Sequence, residues 1–116
     1  MAPENQEFSS KWNNVVNKLS QQFADGERLD IESIMYLIGI QELGKGYQEF
    51  TKDDKVNLMH IAICCILEPF GYYKYEARDE EGWPHYKLIK DLPNLSPTAQ
   101  TKLMQEAIIL YFKNTL

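Results

Sequence analysis

The sequence predicts a mainly α-helical fold of the α+β class, with four helices in a single domain and a β-hairpin between helices 3 and 4. Four stretches repeat apolar residues at the helical period of 3.6. Capping residues, glycines or prolines bound these stretches. One aromatic-rich segment alternates at a period of two instead. We assign residues 9–116 to the domain and the polar residues 1–8 to a flexible tail.

The first helix is predicted from Lys11 to Ala24. Ser9 or Ser10 can cap its start by accepting a hydrogen bond from a free backbone N–H. Gly26 follows as a residue suited to a left-handed stop. The residues predicted to face the core are Phe8, Trp12, Val15, Val16, Leu19 and Phe23.

The second helix is predicted from Ile31 to Leu43, with Asp30 as its N-cap. Gly39 lies inside it, where glycine weakens a helix. We therefore expect Gly39 to allow close packing against another backbone. Gly44 is expected to end the helix.

The third helix is predicted to open at Thr51, which forms a capping-box pattern with Asp54. It runs to about Glu68, because Pro69 cannot continue a helix. Its apolar residues lie on nearly every side and include the unbroken run Ile61–Leu67. Such a helix is usually the central helix of its domain.

The segment Gly71–Lys90 alternates aromatic and charged residues and predicts a β-hairpin. Pairing Arg78 with Trp83 sets a register that places apolar pairs on one face. Those pairs are Tyr73 with Leu88 and Tyr75 with Tyr86.

Two features of this segment oppose a hairpin. The same register sets Lys74 against Lys87, and like charges directly opposite each other are unfavourable. Pro84 has no N–H, so its nitrogen must point away from the neighbouring strand.

The fourth helix is predicted from Pro97, capped by Ser96, to about Lys113. Ile109 and Phe112 lie on the side opposite its main apolar face. Either this helix is sandwiched between other elements, or these two residues meet a partner chain.

Helix 3 carries one polar stripe, whose members recur at spacings of three and four: Asp53, Asn57, His60, Cys64 and Glu68. His60 and Cys64 have the i, i+4 spacing that lets two side chains reach one metal ion, and Glu68 can add a third ligand. The simpler interpretation is that the stripe is the solvated edge of the helix.

A second candidate site is the outward face of the hairpin together with the far side of helix 4. Aromatic residues and arginine are preferred anchors of protein interfaces. The same rings can instead cover the helices as core, and both interpretations stay open. The candidate partner-binding residues are Tyr72, Lys74, Arg78, Trp83, His85, Ile109 and Phe112.

Charge and apolar patterning disfavour two classes of partner. The net charge is −5 and no basic run is present, which disfavours nucleic acid and anionic membrane surfaces. The longest apolar run has seven residues, whereas a membrane span needs about 20.

The adjacent Cys64 and Cys65 are a poor disulfide pair, so reduced thiols in the cytoplasm are expected.

The leading hypothesis is therefore a non-enzymatic, cytoplasmic interaction module without a cofactor, which binds a protein partner or a second copy as a homodimer. The first alternative is a small metal-binding or enzymatic module on the His60, Cys64 and Glu68 stripe. The second is a winged-helix-like DNA binder, because a winged-helix domain also has three helices followed by a hairpin. Its recognition helix should be exposed and basic, whereas the third helix is the most apolar element. An apolar ligand pocket between helices is a further possibility.

Overall fold

The computed structural model describes residues 3–113, and residues 1–2 of the predicted tail and 114–116 of the predicted domain lie outside them. Within this range the chain forms four α-helices and a hairpin between the third and fourth, as predicted. A single 3₁₀ turn joins helix 3 to the hairpin. In chain order the elements are α1 (Pro3–Phe23), α2 (Ile31–Leu43), α3 (Lys52–Leu67), the 3₁₀ turn (Glu68–Phe70), β1 (Tyr73–Arg78), β2 (Pro84–Leu88) and α4 (Pro97–Tyr111).

Helix α1 begins at Pro3, eight residues before its predicted start, so most of the expected tail is helical. Ser9 and Ser10 lie inside the helix, and the prediction that they cap it is wrong. The longer helix packs along α4. At its start the ammonium group of Lys102 lies 5.4 Å from the ring centroid of Phe8. A contact of this kind with a distant segment leaves no local signal that would mark the true helix start.

The caps predicted for the other three helices are confirmed. The Asp30 carboxylate accepts a bond of 2.8 Å from the backbone N–H three residues on. Thr51 and Asp54 form a reciprocal capping box with bonds of 3.0 and 3.1 Å. The Ser96 hydroxyl caps α4 in the same way at 3.2 Å. Each cap satisfies N–H groups that have no partner inside the helix.

Helix α3 is the central helix, as its apolar composition predicts. It packs against α2, α4 and both strands of the hairpin. Its buried side chains join those of α1, α2 and α4 in one core. The buried members of that core are Val15, Val16, Leu19, Ile34, Met35, Ile38, Ala62, Ile66, Leu67, Ala107, Ile108 and Phe112.

Helices α2 and α3 approach most closely at Gly39, which confirms the close packing expected there. A Cβ atom at Gly39 would lie 2.9 Å from the carbonyl carbon of Leu58, and its carbonyl oxygen would be nearer still. Real Cβ atoms do not make contacts this short, so only glycine fits without separating the two helices.

Helix α4 is sandwiched, and the expectation that Ile109 and Phe112 are free for a partner is wrong for Phe112. Phe112 is 7% exposed and belongs to the main core, and α4 packs against both α1 and α3. Ile109 is half-buried against the same core. The prediction that Phe23 lies in the core is also wrong, since it is 54% exposed at the last residue of α1.

The hairpin has the predicted pairing near its base and a β-bulge further out. Arg78 pairs with Pro84 instead of Trp83, because Glu76 is an extra residue in β1. The Asp79 N–H donates to the Trp83 carbonyl at 2.9 Å. Because successive backbone groups of a strand point to opposite edges, the nitrogen of the next residue, Pro84, points away from β1. Pro84 therefore removes no hydrogen bond between the two strands. The pairs that match the prediction are Tyr73 with Leu88, Lys74 with Lys87 and Tyr75 with Tyr86.

We predict that Gly39→Ala destabilises the protein. Overpacking against the backbone of Leu58 costs about 2–3 kcal/mol, the upper part of the usual range, and the better helix propensity of alanine offsets about 1 kcal/mol of it. Urea denaturation followed by circular dichroism should show a net loss of about 1–2 kcal/mol. Asn17→Ala, at an exposed position of α1, is the control and should be neutral or slightly stabilising. An unchanged midpoint in Gly39→Ala would contradict the close approach.

Candidate functional site

A polar cleft of about 270 Å³ lies between the start of α3 and the turn of the hairpin. Both histidines of the chain, His60 on α3 and His85 on β2, line it. They come from the two candidate sites that the sequence analysis treated separately. The lining residues are Asp54, Asn57, His60, Ile61, Asp79, Glu81, Trp83, Pro84, His85 and Tyr86.

Asp79 organises the hairpin side of this cleft. One carboxylate oxygen accepts bonds from the backbone N–H groups of Glu81 and Trp83 at 3.0 and 2.9 Å. The other lies 2.9 Å from Nε2 of His85. The hydrogen bond with His85, and then that with the Trp83 N–H, hold the pKa of the Asp79 carboxyl below its usual value. Asp79 is therefore ionised at neutral pH and fixes the turn through local bonds.

The polar stripe of α3 brings together two of its three candidate metal ligands. Sγ of Cys64 lies 3.6 Å from Nε2 of His60. Glu68 is engaged elsewhere, because its carboxylate accepts a bond of 2.7 Å from the Tyr75 N–H. Among residues 3–113 no group of three or more His, Cys, Asp or Glu side chains is placed to hold a metal ion.

Neither cysteine has the environment of a reactive thiol. Burial raises the pKa of Cys64 to about 11. Burial, followed by the nearby carboxylate of Glu42, raises the pKa of Cys65 to about 12. The side chain of Tyr86 on β2 lies beside Cys65 of α3. Both thiols are therefore protonated at neutral pH, whereas a nucleophile or metal ligand must be a thiolate.

Arg78 anchors the hairpin to the end of α2. Its guanidinium donates to the carbonyl oxygens of Glu42 and Leu43 at 2.7 and 3.1 Å, and to that of Gly82 at 2.7 Å. The last carbonyls of a helix have no partner inside it, so a cation is favourable there. The bulge turns Arg78 toward α2, whereas strict alternation predicted that it would face outward.

The outward face of the hairpin base carries a positive patch. Lys74 and Lys87 lie directly opposite each other across the strands, and both are exposed. The ammonium group of Lys90 lies 4.7 Å from the ring centroid of Tyr72. Ile89 is 53% exposed beside them. Tyr72 itself is half-buried against the main core. We call Lys74, Lys87, Ile89 and Lys90 the lysine patch.

Two further residues that were predicted to bind a partner, His85 and Trp83, differ in exposure. His85 is exposed and paired with Asp79, as described above. Trp83 is half-buried against a second apolar cluster of Leu43, Phe50 and Leu58. The indole therefore helps to pack the hairpin turn onto the helices.

Sequence reasoning missed an apolar groove beside the end of α2. Tyr47 is 78% exposed there and lies at the rim with the exposed ring of Phe23. Leu37 and Ile40 form part of its floor. The high aromatic content of the loop after α2 was the available signal, but exposure depends on packing that periodicity does not report.

The two edges of the hairpin differ. The Tyr75 N–H points away from β2 and donates to Glu68. Tyr75 and Tyr86 are therefore a non-hydrogen-bonded pair of the antiparallel ladder, and their backbone N–H and C=O groups point to the outer edges of the hairpin. The N–H groups of Tyr86 and Leu88 therefore point to the outer side of β2. In the described part of the chain the sheet has two strands. On the edge of β1 Glu68 takes the Tyr75 N–H, whereas no described group bonds to the outward N–H groups of Tyr86 and Leu88, so the edge of β2 is open.

Comparison of the chain with protein-family models, curated proteins and solved structures gave no match. Function must therefore be argued from the geometry of this chain. Across residues 3–113, no helix combines the length and the apolar composition needed to span a lipid bilayer.

We predict that Arg78→Ala lowers the free energy of unfolding by about 1–2 kcal/mol, because three charge-assisted hydrogen bonds at a partly solvated site are lost. Amide exchange should also quicken across the hairpin while that of α1 stays unchanged. Lys74→Ala, on the same strand but without a hydrogen bond to the helices, is the matched control and should change stability by less than about 0.5 kcal/mol. Equal effects of the two substitutions would show that Arg78 is not an anchor.

We predict that both thiols of the folded protein react with a disulfide reagent at pH 8 at least about tenfold more slowly than free cysteine, since the pKa of each is raised. The rates should rise with pH and reach the free-cysteine rate in urea. Cys64→Ala and Cys65→Ala assign each rate to one thiol. A rapid reaction of either cysteine in the folded protein would show that its thiolate is stabilised.

Proposed function

We propose that this protein is a non-enzymatic interaction module of the cytoplasm, and that its hairpin is the element that a protein partner contacts. The observation that carries the proposal is the open outer edge of β2, beside which Leu88 and Ile89 are 48% and 53% exposed. An exposed edge strand offers a row of N–H and C=O groups to an incoming strand. The adjacent apolar side chains add area that a partner can bury.

The chemistry of the two cysteines also disfavours a thiol enzyme. Both thiols have raised pKa values, so neither is a ready nucleophile. The assignment to the cytoplasm rests on the unpaired Cys64 and Cys65, which persist as thiols in a reducing compartment.

The proposal is tested by photo-cross-linking in the native cells, with a benzophenone amino acid placed at Ile89 or, as a control, at the exposed Asn17 of α1. We expect a discrete adduct from position 89 only. Leu88→Pro, which removes an outward N–H as Pro84 already does, should abolish the adduct, whereas Leu88→Ala should retain it. The same adducts from both positions, or none from position 89, would contradict the proposal.

Light scattering after size exclusion identifies the case in which the partner is a second copy. A mass of twice the 13.6 kDa chain that returns to the monomer value in Leu88→Pro would assign the hairpin edge to a homodimer. A strict monomer would exclude a second copy as the partner.

A further inference from the structure

We infer that the partner segment is an acidic strand that pairs with the outer edge of β2 and sets its carboxylates against the lysine patch. This inference rests on the proposed function and adds the chemistry of the partner. The ligand class is an extended peptide in which acidic and apolar residues alternate.

The lysines of the patch are a local concentration of positive charge on a protein of net charge −5. Lys74 and Lys87 oppose each other directly, an arrangement that weakens a strand pair. None of the ion pairs formed by described side chains includes a lysine of the patch. Glu76 and Asp91 are the nearest acids along the chain, and they fall on either side of the patch. The hairpin thus accepts an unfavourable contact that an anionic partner would relieve.

The position of the patch beside the open edge sets the form of the ligand. Side chains of a strand alternate between its two faces, so a strand added to β2 has one face beside Lys87 and the other beside Leu88. Acidic residues at every second position would meet the lysines of the outward face. Apolar residues between them would meet Leu88, which is 48% exposed on the inward face.

Glu68 makes the edge of β1 less available to this strand than the edge of β2. On β1 the Tyr75 N–H is already bonded to Glu68, which also places a carboxylate where an acidic ligand would have to lie. On β2 the N–H groups of Tyr86 and Leu88 point outward. Backbone geometry therefore favours the edge of β2, and the lysines place the acidic residues of the ligand at the base of the hairpin, away from the acidic cleft beside Tyr86.

The test is fluorescence anisotropy with a labelled peptide of alternating Glu and Val, measured on the full chain. We expect saturable binding that weakens about tenfold between roughly 50 and 500 mM salt, because exposed charges are screened. A peptide of the same composition with its Glu and Val residues in separate blocks, and a peptide of alternating Lys and Val, should bind at least about tenfold more weakly.

Lys87→Glu separates binding from folding. It should weaken binding of the Glu and Val peptide about tenfold, yet it should raise hairpin stability, because Lys74 then faces a carboxylate. Lys18→Glu makes the same change of net charge on α1 and should leave binding unchanged. The double variant Lys74→Glu with Lys87→Glu should bind the alternating Lys and Val peptide more tightly than the alternating Glu and Val peptide.

Three outcomes would overturn the inference. They are no binding of the alternating acidic peptide, equal binding of the blocked peptide, and tighter binding of an oligothymidylate, which would assign the patch to nucleic acid. If position 89 still cross-links to a protein partner in these cases, the proposed function stands and only the acidic chemistry of the partner is wrong. If the cross-link is also absent, both fail.

Discussion

Helix α3 carries apolar side chains on nearly every side, and such a helix is stable in water only when other elements cover it. Helix α2 covers one side of α3, and the two backbones come into close contact where Gly39 meets Leu58. Helix α4 covers another side and is itself covered by α1. The hairpin closes the remaining part and is tied down through Arg78 and Glu68. The positions of all the other elements follow from this one need for burial.

The hairpin is held by its contacts with the helices as well as by its own pairing. An isolated two-stranded hairpin is marginally stable, and here one cross-strand pair is Lys74 with Lys87. Arg78 bonds to the end of α2, and Glu68 bonds to the edge of β1. Because these contacts lie on the inner side and on one edge, the outward face and the edge of β2 are left for other interactions.

The candidate sites show how far sequence patterns reach. The i, i+4 spacing correctly placed His60 beside Cys64, since a helix brings such residues together. It could not show that Glu68 turns to a strand, or that His85 shares a cleft with His60. Both depend on how the hairpin packs against α3. The residue pattern within one element does not predict how that element packs against another.

The sequence by itself determined the helices, most of their ends and the register at the base of the hairpin. These features arise from caps within one turn, from periodicity and from pairing of near neighbours, as Thr51 with Asp54 shows. Only the tertiary structure decided that α1 begins at Pro3, that Phe112 is buried and that Arg78 faces α2. Each depends on a surface supplied by a distant segment, because burial and bulge placement are properties of the assembled fold.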